Sequence, residues 1–400
     1  MVPLCLERAG AVPLTVTISV SDVIGDEDFL QALPPHTTRI SHLYLTGYSS
    51  IERVADDLPG FFASPMSNLV SLELEQTEDP VDSFPSNETP APPLFQNISK
   101  LKSLHLIRTP LYPAVCSTTS LVELKLVGYT GTLDFGKFIG LLHSNPNLEI
   151  VALDLQFTGG SVWTIPERTT SLPQLRRLAF TCGNAADVRG LLSCVSLPRG
   201  VHIEIQGTQS NPDDHLGSFL PRPPTPIEQL LTPITTIKYH HSPRWFQVFG
   251  GDGRLSFQYP HTRSNTYVEF NQFVTETTRE FHTNIYHHLS WPLERLPTLE
   301  ALVLSGTTPF TGSLSALAEE PILCPSLKTI AFFDCEITED VIEELERVLA
   351  KRRNSTAARL YRVVIVSKTQ ALPDIRLIHQ LRKFVPRVDV GAGDELPDLL

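Results

Sequence analysis

The sequence predicts an α/β fold, a leucine-rich-repeat solenoid shaped as an irregular horseshoe with a face of parallel strands and mixed helix and loop returns. The first observation behind this prediction is a short pattern that recurs along the chain, with apolar residues at its first, fourth and sixth positions. The second is the regular interval between copies. The third is a composition of 41% hydrophobic and 19% charged residues, which is ordinary for a folded protein. Because each repeat packs only on its neighbours, all 400 residues can form one array.

The repeat is clearest in the first half of the chain. There it begins at Ile40, Leu69, Leu101, Leu121, Ile150 and Leu175. These starts are 29, 32, 20, 29 and 25 residues apart, close to the roughly 20–29 residues of a leucine-rich repeat. Further copies begin at Leu299, Leu327 and Leu360, and weaker copies contain Ile203 and Ile234. The Asn that usually follows the last leucine is missing throughout, so we expect irregular repeats.

The side chains between the repeated apolar residues define a candidate functional surface. Because side chains alternate along a strand, the leucines face a shared core and the intervening residues form an open face. Mixed charge with Tyr and His suits a specific protein interface, and the alternative is a solvated sheet without a partner. The candidate protein-binding face consists of His42, Tyr44, Ser71, Glu73, Glu75, Ser103, His105, Glu123, Lys125, Asp154 and Arg177.

The equivalent positions of the last repeats are apolar. They hold Ala301, Val303, Ala331, Phe333, Val364 and Val366. Such a surface is either covered by another segment or used as a partner patch. We expect it to be covered by the C-terminal tail or by the 260–290 region.

The elements between and before the repeats follow from local patterns. Alternating apolar and polar residues predict a strand over 13–19. Apolar residues at helical spacing predict a helix from Phe135 to Leu142 that ends before Asn145-Pro146. A second helix is predicted from Asn184 to Val195.

The segment 234–270 is β-rich and predicts three strands. They run over Ile234–Tyr239, Arg244–Phe249 and Arg254–Tyr259. Gly251-Asp252-Gly253 favours a hairpin turn between the last two, because Gly and Asp tolerate positive φ. No Gly-Lys-Ser/Thr follows these glycines, which argues against a phosphate-binding loop. Residues 271–288 are expected to be helical.

The C-terminal part predicts a helix, a strand and a second helix. Thr338 is a good N-cap, and an apolar stripe at helical spacing follows it at Val341, Ile342, Leu345, Val348 and Leu349. The cations of 351–353 suit the end of the helix dipole, with a nuclear-import patch as the alternative. A strand is predicted over 360–366. Asp374 caps a final helix with Leu377, Ile378, Leu381 and Phe384 inward, and residues 391–400 are expected to fray.

Composition divides the single solenoid of residues 1–400 into three stretches. N-terminal repeats occupy 1–210, an irregular β-rich and helical segment occupies 211–295, and C-terminal repeats occupy 296–390. A Pro-rich break at 212–226 separates the main array from the region after it.

Charge, cysteines and the N-terminus restrict the function classes. The formal net charge of −12 disfavours nucleic-acid binding, which needs a basic face. Six scattered Cys residues without a CxxC pair match neither a zinc site nor a disulfide scaffold, and they predict reduced, buried thiols. Glu7 and Arg8 interrupt the apolar start, which argues against a signal peptide, and no stretch reaches the ~18 apolar residues of a membrane span. We therefore expect an intracellular protein, cytoplasmic or nuclear.

Sequence motifs point to no catalytic or metal-binding chemistry. We find no HExxH, GxSxG or P-loop motif in the sequence. The adjacent pairs His240-His241 and His287-His288 are poor chelators, because neighbours on a strand point to opposite faces. We expect no catalytic residues, no metal and no cofactor, and a protein partner rather than a nucleic acid or a membrane.

Three segments carry a family resemblance. The stretch Leu6–Val16, the run Leu33–Ile40 and the segment Phe246–Gly253 are similar to parts of the F-box proteins with degenerate leucine-rich repeats that are abundant in mushroom-type fungi. In that family the first stretch follows the F-box and the second leads into the first repeat. The helix–strand–helix end also fits, so the resemblance spans nearly the whole chain.

The resemblance implies a substrate-recognition solenoid, the receptor part of an F-box/cullin ubiquitin ligase. The F-box, which docks the Skp1 linker, is not visible, and the chain begins where that segment should end. Skp1 and cullin are therefore expected partners only if an F-box lies upstream. The alternative function is a stand-alone scaffold or inhibitor protein with no link to ubiquitin.

Overall fold

The protein is a mixed α/β chain that divides into two compact units. The computed structural model describes residues 6–20, 32–48, 59–62, 64–77, 95, 97–109, 111, 117–129, 135–155, 169–182, 185–207, 233–241, 244–250, 253–258, 277–284, 290–306, 314–318, 322–355, 359–369 and 372–393. The first unit comprises residues 1–209 and 219–221, and the second comprises 210–218 and 222–400. Within the described residues, sixteen strands, eight in each unit, form mostly parallel rows.

In the first unit, eight parallel strands follow one another in chain order. Together with two short strands outside this row, the described strands of the unit are β1 Leu14–Ser19, β2 Ile40–Tyr48, β3 Ser71–Gln76, β4 Ser103–Ile107, β5 Glu123–Tyr129, β6 Ile150–Leu155, β7 Thr170–Ser171, β8 Arg177–Cys182, β9 Val195–Ser196 and β10 His202–Gly207. Their order is β1-β2-β3-β4-β5-β6-β8-β10, while the short β7 and β9 pair separately. The returns contain the helical segments Pro34–Arg39 (3₁₀), Pro59–Phe62, Phe135–Ser144 and Ala185–Cys194. The strand over 13–19 and the helices near 135 and 185 are thereby confirmed.

The leucines of consecutive strands stack in register. One row across the sheet is formed by Leu43, Leu72, Leu104, Leu124, Val151, Leu178 and Ile203. Each of these side chains is at most 3% exposed, and a second row, from Leu45 to Ile205, is buried in the same way. Removal of this apolar surface from water is the main stabilising contribution to the unit.

The second unit also contains a row of eight strands. They are β11 Ile234–His241, β12 Arg244–Gly250, β13 Gly253–Gln258, β14 Glu280–Thr283, β15 Ala301–Ser305, β16 Thr329–Phe333, β17 Arg362–Ser367 and β18 Arg387–Ala392. Their order is β13-β12-β11-β14-β15-β16-β17-β18. From β11 through β14 to β18 all neighbours are parallel. The helical segments are Ser290–Glu294, Leu314–Ala318 (3₁₀), Glu339–Arg353 and Ile375–Leu381.

The three strands predicted in the β-rich segment are present, and they form an antiparallel meander. β11 pairs with β12 and β12 pairs with β13, both antiparallel. Gly250 lies opposite Gly253, so a hairpin joins these strands. The predicted turn residues 251–252 themselves lie outside the described residues.

Two predictions about this region and the first array are wrong. The helix expected over 271–288 is replaced over Glu280–Thr283 by a strand. Its core positions are Thr278, Phe281 and Thr283, all 0% exposed. Because two of these three residues are threonines, a search for apolar residues at the repeat spacing does not find this copy. The repeat placed at Ile150 starts instead at Leu148, because Val151 and Leu153 join the buried rows and Ile150 pairs with outward-facing residues.

The helix Glu339–Arg353 matches its predicted boundaries and buried stripe. The Thr338 side chain accepts a hydrogen bond from Val341 N at 3.4 Å, and the five stripe residues are buried. Arg352, one of the three cations in the last turn of this helix, is only 1% exposed. Its terminal nitrogens donate to Leu323 O at 3.1 Å and Cys324 O at 2.9 Å.

The C-terminal end also differs from the sequence-based expectation. Asp374 caps the last helix by accepting from Arg376 N at 2.9 Å, as predicted. The helix ends at Leu381, however, and Phe384 beyond it is 45% exposed rather than inward. Residues 391–392, which were expected to fray, belong to β18, and residues 394–400 lie outside the described residues.

Candidate protein-binding face

All eleven candidate residues lie on the outward side of strands in the first unit. They alternate with the buried leucine rows, and each is partly or fully exposed. We use the term open face for the outward side of β2 to β10. Three transverse rows cross it, since residues on neighbouring parallel strands are in register.

An ion-pair network lies at the centre of the open face. The His105 ring is flanked by Glu73 and Glu123, each with a carboxylate oxygen 3.4 Å from a ring nitrogen. Lys125 Nζ lies 2.6 Å from Glu123 Oε1, and Ser103 Oγ donates to Glu123 Oε2 at 2.9 Å. The network thus brings together five candidate residues from three neighbouring strands.

The charge state of Glu123 follows from this surrounding. Burial acts to raise its pKa, but hydrogen bonds from Lys125 and Ser103 and the positive charge of Lys125 outweigh burial and hold the pKa below its ordinary value. Glu123 is therefore ionised at neutral pH. It presents a fixed negative charge to any partner.

Arg108, which sequence analysis missed, forms an ion pair with Glu75, a further candidate residue of the open face. Its Nη2 lies 3.1 Å from Glu75 Oε1, and its Nε donates to Gln76 O at 2.8 Å. Arg108 adopts a φ of 55°, which takes it out of the strand alternation from which the candidates were chosen. Strand alternation does not select such a residue, and an Arg at this position gives no sequence signal of a positive φ.

Asp154 does not lie beside Lys125. A copy starting at Ile150, as predicted, would place Asp154 between its two strand core positions, in the middle row of the open face with Lys125. Because the β6 repeat starts at Leu148, Asp154 lies beyond the two core positions and pairs with Thr181 of β8. Burial raises its pKa, although the backbone N–H of Gly128 opposes this by donating to the carboxylate. The middle-row position expected for Asp154 is held by Ala152, between Lys125 and Ala179.

Arg177 belongs to a separate ion pair at the β8–β10 end. Its Nη2 lies 2.6 Å from Glu204 Oε2, and His202 Nε2 lies 3.4 Å from Glu204 Oε1. Both partners were missed, although the weak repeat containing Ile203 and Ile205 predicts that they face outward. The structure therefore places Arg177 apart from the central network.

An apolar strip accompanies these charges on β4 to β8. It consists of Ile107, Val127, Ile150, Ala152 and Ala179, all partly exposed or exposed. Val127 is 38% exposed. Apolar contacts beside oriented charged groups are what a protein interface combines.

The outward side of β15 to β17 is buried. Its apolar residues Ala301, Val303, Ala331, Val364 and Val366 are at most 6% exposed, with Phe333 partly buried against them. This burial agrees with the expectation that another segment covers these residues. The tail and most of the 260–290 region, which we expected to supply it, lie outside the described residues.

The described thiols are suited to packing rather than to nucleophilic chemistry. Burial raises the pKa of Cys324 and Cys335 to about 12 and also raises that of Cys194. At neutral pH these three groups are thiols, which are poor nucleophiles compared with thiolates.

The described residues lack a metal-binding cluster. No group of three or more His, Cys, Asp and Glu among them could hold a metal ion. The side chains of His240, His241, His287 and His288 lie outside the described part. Among the described helices, none combines the length and hydrophobicity of a membrane span.

Comparison with known sequences leaves the function to be argued from this geometry. No protein-family model matches the sequence, and no curated protein is significantly similar to it.

Proposed function

We propose that this chain is a non-catalytic leucine-rich-repeat solenoid that binds a protein partner through the open face. The single observation that carries the proposal is the in-register stack of leucine rows beneath an outward row of charged, His and Tyr side chains. A surface of this composition, held on strands, needs little ordering when it binds.

A recurring turn supports the repeat classification. Counting from the first apolar position of a copy, the eighth residue has a positive φ at Gly47, Arg108, Gly128, Gly306 and Asp334. This position recurs in both units, so the backbone bends at the same point of each copy, at or next to the end of the strand. Gly is the residue that adopts such a conformation without strain, and it occupies three of the five sites.

The ninth position of a copy gives a second structural regularity. Thr109 Oγ1 donates to Leu74 O at 3.2 Å, and Cys335 Sγ donates to Leu304 O at 3.1 Å. In both cases the acceptor is the sixth residue of the preceding copy. The leucine-rich-repeat pattern has Asn or Cys at the ninth position, so the copy at Leu327 carries the consensus Cys that a search for Asn overlooks.

The ubiquitin-ligase role is the more specific form of the proposal, and it depends on the sequence resemblance. A substrate receptor needs a rigid recognition surface, for which the open face is suited. The alternative is a stand-alone scaffold or inhibitor with no ubiquitin link. The two roles differ in whether Skp1 and cullin accompany the chain.

Affinity capture of the tagged chain from its native extract, read by mass spectrometry, tests the proposal. The test variant is Glu73→Lys/Lys125→Glu, which inverts two charges of the central network. We expect a stoichiometric partner of the wild type to be lost, because like charges placed across an interface disfavour binding. The control is Glu343→Lys/Lys351→Glu, which inverts two exposed charges on the helix Glu339–Arg353 and should retain the partner.

The outcomes separate the possible roles. A partner retained equally by both variants would show that the open face is not the interface. Skp1 and cullin captured with the chain, or only with a version extended by the upstream genomic sequence, would establish the ligase role. A stoichiometric partner without them would favour the scaffold or inhibitor. Circular dichroism of both variants establishes that they are folded.

A further inference from the structure

A second charged surface lies on the meander of the second unit. On the outward side of β11, β12 and β13, Lys238 Nζ lies 5.2 Å from the centroid of the Phe249 ring, and Arg254 Cζ also lies 5.2 Å from it. The opposite side of the same strands, with Ile237, Val248 and Leu255, is fully buried. Both cations therefore point away from the core and flank one aromatic side chain.

These two cations differ from others on the described sheet faces. Lys125, Arg177 and Arg362 each lie within 2.7 Å of a carboxylate oxygen. No carboxylate of the described residues lies within ion-pair distance of Lys238 or Arg254. Glu280, on the adjacent β14, is hydrogen-bonded instead to His282. In a chain with a net charge of −12, two neighbouring, partly buried cations without a carboxylate partner form a locally positive patch.

The patch offers hydrogen-bond donors in a defined arrangement. Arg254 Nε donates to Ser256 Oγ at 3.2 Å, which fixes the guanidinium and leaves its two terminal nitrogens to donate elsewhere. Gln247, which is 5% exposed and lies opposite Ser256 on β12, donates to the same Ser256 oxygen at 3.0 Å. The Lys238 ammonium carries three more donors. A donor-rich, acceptor-poor group of this kind favours an anionic ligand.

We propose that the Lys238–Phe249–Arg254 patch binds an acidic segment of a partner protein, at a site independent of the open face. Carboxylates of the segment would accept from Lys238 and Arg254, and a neighbouring aliphatic side chain would contact the partly exposed Phe249 ring. A protein segment fits better than a nucleic acid, because a polyanion would extend beyond two cations into the field of a strongly acidic chain.

Fluorescence anisotropy of the full chain with a labelled peptide of alternating Glu and Leu tests the proposal. The same peptide with Gln in place of Glu and a single-stranded oligothymidylate are the comparison probes. The variants are Lys238→Gln and Arg254→Gln, alone and combined. The matched control is Lys328→Gln, a cation of the same unit that lies 2.7 Å from Glu300.

We expect the Glu peptide to bind more tightly than the Gln peptide, and more weakly as salt rises. Each patch variant should weaken its binding about tenfold, since a charge-assisted hydrogen bond is lost, while Lys328→Gln leaves it unchanged. The proposal would be overturned if the Glu and Gln peptides bound equally, or if the patch variants bound the Glu peptide as tightly as the wild type does. It would also be overturned if oligothymidylate bound more tightly than the Glu peptide. Unaltered thermal unfolding of the variants establishes that any loss is local. Failure of this test leaves the open-face proposal standing, because the two sites share no residue.

Discussion

At the scale of single residues, the buried Arg352 has the clearest energetic consequence. Its guanidinium donates to three successive carbonyls of the segment before β16, on Leu323, Cys324 and Pro325. Arg352→Met keeps most of the aliphatic volume but leaves these buried acceptors without a donor. We expect the free energy of unfolding to fall by roughly 3 kcal/mol, the cost of unsatisfied buried polar groups. Urea denaturation followed by circular dichroism measures this.

The neighbouring Arg353 supplies the control for that measurement. Arg353 is exposed, so Arg353→Met should change the free energy of unfolding by no more than about 0.5 kcal/mol. If Arg352→Met is equally mild, the guanidinium does not hold the segment. The sequence contains part of this result, because Val341, Leu345, Val348 and Arg352 share one helical face. It does not contain the acceptors, which lie 27 to 29 residues away in the chain and come close only in the folded unit.

At the scale of elements, one carboxylate connects the last strand to its neighbour. Asp389 of β18 accepts from Arg362 Nε of β17 at 2.7 Å and from Arg387 Nε at 3.0 Å. Burial acts to raise the pKa of Asp389, but hydrogen bonds and positive charge from the two arginines prevail and lower it. A carboxyl whose pKa is lower in the folded state stabilises that state above its unfolded pKa, and this contribution is lost as the pH falls.

We therefore expect Asp389→Asn to lower the free energy of unfolding by about 1 kcal/mol at neutral pH. The difference from the wild type should shrink as the pH falls below the ordinary range of an aspartate. Urea denaturation at a series of pH values measures the difference. In an Arg362→Met background, Asp389→Asn should have a smaller effect, since one partner is already gone. A difference that stays constant down to low pH would contradict the assignment.

Most strands with apolar core positions could be predicted from the sequence, whereas β14, with two polar core positions, could not. Nearly every copy with Leu, Ile or Val at its core positions corresponds to a strand. β14 was predicted as a helix because Thr278 and Thr283 replace the apolar residues there. β18 was missed although Val385, Val388 and Val390 follow the pattern. The copy on β6 was placed two residues late, because Ile150 and Leu155 satisfy the same spacing as the true core residues and local periodicity cannot separate them.

The same limit applies to the candidate face. Strand alternation gives the outward direction of all eleven residues, because direction depends only on local geometry. It does not give their contacts. The separation of Arg177 from the central network, and the pairing of Glu75 with Arg108, depend on register between strands and on a positive-φ turn. Both arise only when the returns between repeats have folded.

At the scale of the whole molecule, the two units present different outward surfaces. The outward side of the first unit combines an ion-pair network with a partly exposed apolar strip. In the second unit, β15 to β17 carry a buried apolar side, and the meander carries the basic patch. The inward positions of both units are mostly apolar, whereas their outward positions differ in charge and polarity. Surface chemistry, rather than the repeat itself, distinguishes what each unit can bind.

The architecture of the first unit predicts that it folds alone. Its core rows lie within residues 1–209, and every strand of its main sheet pairs with strands adjacent or nearly adjacent in the chain. A fragment of residues 1–209 should therefore unfold cooperatively in urea, because the packing partners of its buried rows lie within the fragment. A shorter fragment, 1–149, lacks β6 to β10 and exposes the leucine row of β5 at its end. We expect this shorter fragment to be less stable or aggregated, because the apolar row exposed at its end has lost its packing partner. Circular dichroism and urea titration compare the two fragments. A non-cooperative transition for 1–209 would show that the first unit needs the rest of the chain to form its core.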